Sequence, residues 1–448
     1  IAPGEISFGP LLLAWMVAIA MLAVGFKTRI AAVANYCFTL TTFSTFSAFE
    51  YHIDYIYTAT NLLLVFAPVA NCLSIDAWLL TRRTGKRPSF AVGRVYRDAI
   101  LFCSVGLVYF DSVLYKFGSD IWQYGLGVWL PASYPHATWN PNLTWLLDNR
   151  SLVTALSHLT LLFELLFVFL FWFKRCHSIL LIVGLGLHIG ITAVFPIPWF
   201  GATMIAFYCL LLPDRIVEWI ARRTPQEQLT EEISDRHCRH SVTFIAAASL
   251  LFQIPSLVTS PTAFGIARGA RLTAAWAPFA RLFTPYTKLA RPFLGTTPHT
   301  VFLDFHFRGY DHELAILHID PQSKKKTWLP LISESGTTRS YNTGRMWAYW
   351  SFRVCGPQLD TKTVRKGITR ITAFWAIQHG LQLKGSRFQI LVREYDRPLG
   401  WEPGFATRQL AKPWSVAGEL EWHGNGTRFS FDNPDSEIRS PAETAYHD

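Results

Sequence analysis

Seven ionisable side chains lie inside, or at the ends of, stretches that are otherwise apolar: His52, Asp54, Asp111, Lys116, His158, Glu164 and His188. Titratable groups in membrane-grade segments are costly, so each marks a candidate functional site. The run "AILFCSVGLVYF" (99–110) has no charge; Asp111 follows it at once and Lys116 comes five residues later. An amine shielded from water by apolar walls can serve as a general base. Lys116 ends one apolar run, His52 sits in the short turn "EYH" between two others, and His188 is about two turns from the end of a fourth. If those ends lie on one side, three nitrogen bases share a depth. Asp111 points to a different helix face from Lys116 and need not pair with it. Glu164 lies one and a half turns beyond His158. Plain roles stay open for all of them. Lys116 can snorkel, His52 can cap a turn, His188 can be satisfied in a core, and Glu164 can pair with a neighbour.

The elements that must hold these groups are apolar segments near bilayer-spanning length, for which about 20 residues are needed. Half of the 448 residues are hydrophobic and 16% are charged, with 17 Trp and 34 Phe. That composition excludes an ordinary soluble protein of this size. Eight spans are expected: 9–26, 30–49, 53–72, 99–116, 151–173, 178–195, 199–213 and 241–258, with room for one more before residue 1. Basic residues fill alternate connections: Lys27 and Arg29; Arg82, Arg83, Lys86, Arg87, Arg94 and Arg97; Lys174 and Arg175; then Arg215, Arg222, Arg223, Arg236 and Arg239. By the positive-inside rule those loops are cytoplasmic, and everything after the eighth span faces outward. The net charge of +10 therefore reads as topology, with no nucleic-acid partner. The 117–150 loop, with Trp122, Tyr124, Trp129, Tyr134, Trp139 and Trp145, is expected to lie flat on the outer membrane surface as an aromatic anchor.

Four regions are expected. Residues 1–260 form the helical bundle. Residues 261–297 are basic and aromatic and form an amphipathic segment at the interface. Residues 298–433 form a β-rich α+β extracytoplasmic domain, and 434–448 a flexible tail. "TVFLDFHF", "ELAILHI", "MWAYWSFRV", "FQILVREY" and "RFSFD" have strand character, and 361–383 has helical spacing. The histidines at 306, 312 and 318 alternate with strand residues, which is not a metal-site spacing, and no metal is expected. The seven cysteines show no disulfide framework.

The segments "VYFDSVLYKFGSDIW" (108–122), "FEYHIDYIYTATNLLLVFAPVANCLSIDAWL" (49–79) and "HSILLIVGLGLHIGITAVFPIPWFGATMIAF" (177–207) resemble, in order, three segments of vitamin K-dependent gamma-glutamyl carboxylases. These are a helix ending in the catalytic lysine, a His-x-x-Tyr helix with a Ser-x-Asp turn, and a later helix with an internal histidine. "GRVYRDAILF" resembles the entry to the lysine helix. The resemblance covers about residues 10–220, and the broader group is the horizontally transferred transmembrane (HTTM) domain family, in a bacterial member. Val113 and Tyr115 stand where the carboxylases have Gly and a first Lys, and Glu50 and Tyr51 replace asparagines before the histidine.

The resemblance implies that Lys116 deprotonates a reduced vitamin K or related quinol, which reacts with dioxygen to give a strong base. That base takes a γ-proton from a protein glutamate, and carbon dioxide is then fixed. It implies catalytic roles for Lys116, His52 and His188, and cofactor contacts for Tyr55, Asp111, Tyr115, Trp122, His158 and Glu164. The expected partners are the lipid bilayer, an exported protein or peptide substrate, and subunits of a membrane complex. The expected location is a bacterial inner membrane with the C-terminal domain outside the cytoplasm. A non-catalytic HTTM-fold subunit or scaffold, and an exported-peptide maturation factor, are the alternatives to an enzyme.

Overall fold

The computed structural model describes residues 8–45, 52–71, 73–88, 93–139, 143–213, 215–216, 219, 228–229, 233–259, 273–304, 307, 312–320, 322–338, 362–423 and 426–431. The chain falls into two compact units. Unit 1 comprises 1–118, 161–186 and 203–300, and unit 2 comprises 119–160, 187–202 and 301–448.

All eight apolar segments are helical over most of their described residues. The helices are α1 Phe8–Val24, α2 Thr28–Thr45, α3 His52–Phe66, α4 Arg94–Phe117, α5 Arg150–Leu170, α6 His177–Val194, α7 Pro198–Tyr208 and α8 Ile233–Thr259. The expected eight spans are not supported. Among the described residues, three helical stretches are long and apolar enough to cross a membrane: α4, α5 and Lys174–Val194, which includes α6. Helices α1, α3 and α7 are too short, at 17, 15 and 11 residues. Helix α2 is diluted by its "TLTT" run. The three differ in surroundings. Helix α4 is mostly buried, whereas α5 and α6 expose Leu159, Leu162, Leu166, Phe169, Ile179, Ile182 and Ile189. Apolar side chains on an outer helix face suit contact with lipid.

Helix α4 is not regular. A π-helical turn, Phe102–Gly106, interrupts it. Such a turn adds a residue to the helical repeat and re-aims the residues beyond it. In unit 1, α4 packs with α3 and α8, and α8 packs on helix α9, Thr273–Leu294. Helix α9 ends at Gly295, whose φ of +66° is the left-handed conformation of a helix C-cap. A Cβ there would overlap the Tyr55 carbonyl, so only glycine lets the chain turn against α3. Residues 282, 286, 289 and 293 of α9 expose Leu, Tyr, Leu and Phe along one stripe, which gives the helix an amphipathic outline.

Unit 2 is built on a five-stranded antiparallel sheet. Its strands are β1 His312–Ile319, β2 Lys326–Trp328, β3 Arg387–Glu394, β4 Ser415–His423 and β5 Gly426–Phe431, in the order β2-β1-β3-β4-β5. His312 pairs with Glu394 and Glu313 with Arg393. Helix α10, Lys362–Gln378, covers one face: Trp375 meets His318 and Phe388, and the Trp422 indole N–H donates to the Thr372 hydroxyl. Seven of the eight residues of β1 are buried, as befits a strand covered on both faces.

Several expectations are corrected or fall outside the described residues. Residues 301–304 of "TVFLDFHF" are not a strand; Phe302 has a left-handed φ of +56°, which breaks an extended run. "MWAYWSFRV" and the 434–448 tail lie outside the described residues. The aromatic 119–150 region does not spread as a surface anchor. Trp122, Trp129 and Tyr134 are buried inside unit 2, with Trp129 against Phe405 and Tyr134 against Tyr395. Amphipathic rings suit both a membrane interface and a core with polar partners, and here the core takes them. Tyr124 and Trp145 stay exposed.

Candidate functional site

Helix α4 brings Lys116 to the interior of unit 1, where it is buried with Glu164 of α5. The Lys116 Nζ donates to both carboxylate oxygens, at 2.5 and 2.7 Å. Two buried, oppositely charged groups in such geometry satisfy one another, and either one alone would carry a large desolvation cost. One face of α4 continues the site. Tyr109, seven residues before Lys116, shares a hydroxyl–hydroxyl bond of 2.5 Å with Tyr208 of α7. Phe163 and Phe167 of α5 pack edge-on against Tyr109, and Phe167 does the same to Tyr208. Gly184 of α6 makes room: a Cβ there would run into the Tyr208 ring.

Asp111 faces elsewhere, in keeping with its spacing from Lys116. It is fully buried and accepts from the Ser256 hydroxyl at 2.7 Å, from the His299 backbone N–H at 2.6 Å, and from Gln253. This carboxylate ties α4 to α8 and to the chain after Gly295. Tyr115 lies near the same place, its hydroxyl 3.4 Å from that of Ser256. His52 opens α3 and stands 5.8 Å, ring to ring, from His299. Burial, and then the neighbouring His52, hold the His299 imidazole well below its usual range. Tyr55 accepts a hydrogen bond from Arg291, whose guanidinium also sits 4.6 Å over the Tyr55 ring.

The remaining candidates belong to unit 2. His188 is buried against the Phe200 ring at 5.4 Å. Trp122 is buried and donates its indole N–H to the Phe302 carbonyl at 2.6 Å. His158 is exposed on α5. The partner found for Lys116 is thus a carboxylate. Glu164 stands beside the lysine and compensates its charge.

Sequence reasoning missed Tyr109, Tyr208 and His299. Tyr109 had a signal, since a position seven residues before Lys116 shares its helix face. Tyr208 and His299 had none, because helix packing alone brings them in. Among the described residues no cluster of three or more His, Cys, Asp or Glu could hold a metal, and Cys37, Cys103, Cys176, Cys209 and Cys238 are free thiols.

The model of one protein family, the HTTM domain, matches residues 8–215. No curated protein and no solved structure matches the chain.

Proposed function

Residues 8–215 form an HTTM domain, and on that premise we propose that this membrane protein is a carboxylase-like enzyme in which Lys116 and Glu164 act as one base. The observation that carries the reading is the buried pair itself, an amine within 2.7 Å of both oxygens of a carboxylate. Burial penalises the two separated charges, so the proton can pass from the ammonium to Glu164. The neutral amine left behind can accept a proton from an acidic hydroxyl. Glu164 stores the first proton and keeps the amine oriented.

Through the resemblance we assign an aromatic diol as the substrate of the pair. Phe163 and Phe167 offer ring faces and edges for stacking, and the Tyr109–Tyr208 pair offers hydroxyls. When bound, a reduced quinone supplies an acidic hydroxyl and the electrons that activate dioxygen. Carbon dioxide would then be fixed on a glutamate of an exported protein. His52 and His188 are assigned hydrogen-bonding roles toward developing negative charge through the resemblance alone. We assign an inner-membrane location, with the basic turn Lys174–Arg175 between α5 and α6 on the cytoplasmic side.

The test uses purified protein in detergent with reduced vitamin K, dioxygen, labelled bicarbonate and a Glu-containing peptide. Wild type should form quinol epoxide and fix label; Lys116→Ala, though destabilised, should do neither under conditions where its melting curve still shows a folded state. Full activity in Lys116→Ala would remove the base assignment. One observation favours a second reading, a non-catalytic HTTM scaffold: Lys116 bonds both oxygens of Glu164, and such a two-pronged pair can serve packing alone. Wild type without either activity would bring that reading forward.

A further inference from the structure

A pocket of about 280 Å³ lies in unit 1 between the last turns of α8 and α9. Its floor is made of Ser256, Thr296 and Thr297, all buried. Gln253 of α8 and Thr287, Lys288 and Arg291 of α9 complete the polar lining, beside the apolar Phe252, Pro255 and Pro298. Among the described residues that line it there is no carboxylate.

Three features make this a built site. Lys288 and Arg291 are three residues apart on one helix, so both can reach one ligand. Arg291 is held in place by Tyr55, through the hydroxyl bond and the ring beneath the guanidinium. Thr296 is only 6% exposed, yet its Oγ1 has no hydrogen-bond partner among the described residues. A buried hydroxyl left unsatisfied is destabilising, so a partner brought to the floor of the pocket would stabilise it. The floor is fixed from below. Ser256 donates to Asp111, and the Thr297 carbonyl accepts from Gln253 at 2.9 Å.

The lining is rich in donors: an ammonium, a guanidinium fork and threonine hydroxyls, arranged on several sides. A phosphate group, with its several acceptor oxygens and negative charge, is the ligand that such a set recognises. The same helix indicates the source. Leu282, Tyr286, Leu289 and Phe293 form an exposed apolar stripe on its other side, which seats α9 against lipid. Basic pockets among membrane helices take lipid headgroups. We propose that the pocket formed by Thr287, Lys288, Arg291 and Thr296 binds the phosphate of a phospholipid headgroup. This site makes no use of the Lys116–Glu164 pair, and its test does not depend on catalysis.

The test measures binding to the full chain in a phosphate-free maltoside detergent, with three probes: dihexanoyl phosphatidic acid, dihexanoylglycerol and inorganic phosphate. Wild type, Lys288→Gln and Thr296→Val are compared. Lys288 is exposed and valine is nearly isosteric with threonine, so both variants should melt like wild type without probe. Wild type should bind the phosphatidic acid and not the dihexanoylglycerol, and each variant should bind about tenfold more weakly. Inorganic phosphate binding as tightly as the lipid, and lost in both variants, would overturn the lipid source and leave a soluble-phosphate pocket. Equal lipid binding by wild type and both variants, or none by wild type, would overturn the site.

Discussion

Glu164 decides what Lys116 can be. Without it, the buried ammonium would lose its two-pronged counter-charge; with it, each group compensates the other. Removing one member should therefore do two separable things. Lys116→Met leaves a buried carboxylate uncompensated and should cost about 3–5 kcal/mol of stability. Lys116→Met combined with Glu164→Leu should recover most of that loss in denaturant unfolding, yet remain inactive. Recovery of activity by the double variant would deny the pair any chemical role. A second residue-scale prediction concerns Glu313 on β1. It is wholly buried, accepts from the Tyr395 hydroxyl, and burial pushes its carboxyl up to about 8, against the lowering effects of Tyr395 and Arg393. The folded form then holds a proton that the unfolded chain releases above about pH 4.5, so stability falls as pH rises toward 8 and levels off beyond it. His136, pushed down to about 3 by burial and by His312, has the opposite sign, losing stability as pH falls below about 6.5. Between pH 6.5 and 8 the Glu313 effect is thus the larger, on the order of 1–2 kcal/mol. Melting curves of the full chain should show this decline, and Glu313→Gln should flatten it; a wild-type profile as flat as the variant's would place the Glu313 proton elsewhere. At this scale the sequence disclosed that Lys116 is out of place among apolar residues and that Asp111 faces away from it. It could not disclose Glu164 as the partner, because the two meet across helices 48 positions apart.

At the scale of elements, every apolar segment marked in the sequence is helical over most of its described residues, and the length of the apolar run was enough for that. Crossing a membrane is a stricter demand than being an apolar helix, which is why eight segments yield three qualifying stretches among the described residues. Strands β1, β3 and β5 and helix α10 announce themselves by alternation or helical spacing. Strand β4, "SVAGELEWH", does not, since its glycine and acidic residues mask the pattern and its partner strands define it. The turn at Gly295 was equally silent, because a left-handed residue is dictated by what it must avoid, here the Tyr55 carbonyl. Gly295→Ala should strain that turn by roughly 1–3 kcal/mol and pull the His299 N–H from Asp111. The check is thermal unfolding beside a control, Gly186→Ala, where a Cβ would meet nothing within 4 Å. Equal melting of the two variants would show that the turn tolerates a side chain.

At the scale of the whole molecule, the chain divides by space more than by order. The change in composition places a boundary near residue 298, whereas unit 2 also contains 119–160 and 187–202. Composition is blind to those stretches because tryptophan and tyrosine look alike in a membrane anchor and in a domain core. A fragment spanning 298–433 would lack Trp129 and Tyr134, the rings that cover Phe405 and Tyr395. Expressed alone, it should bind a hydrophobic dye and lack a cooperative melting transition; a sharp transition without dye binding would show that the sheet stands by itself. That arrangement also has a consequence in time. Tyr134 leaves the ribosome about 260 residues before Tyr395, an interval of roughly 10–50 s at ordinary elongation rates. For that long the earlier part of unit 2 waits with its aromatic side chains uncovered. Any translational pause between the two widens the window in which a chaperone, or a neighbouring copy, can reach them first.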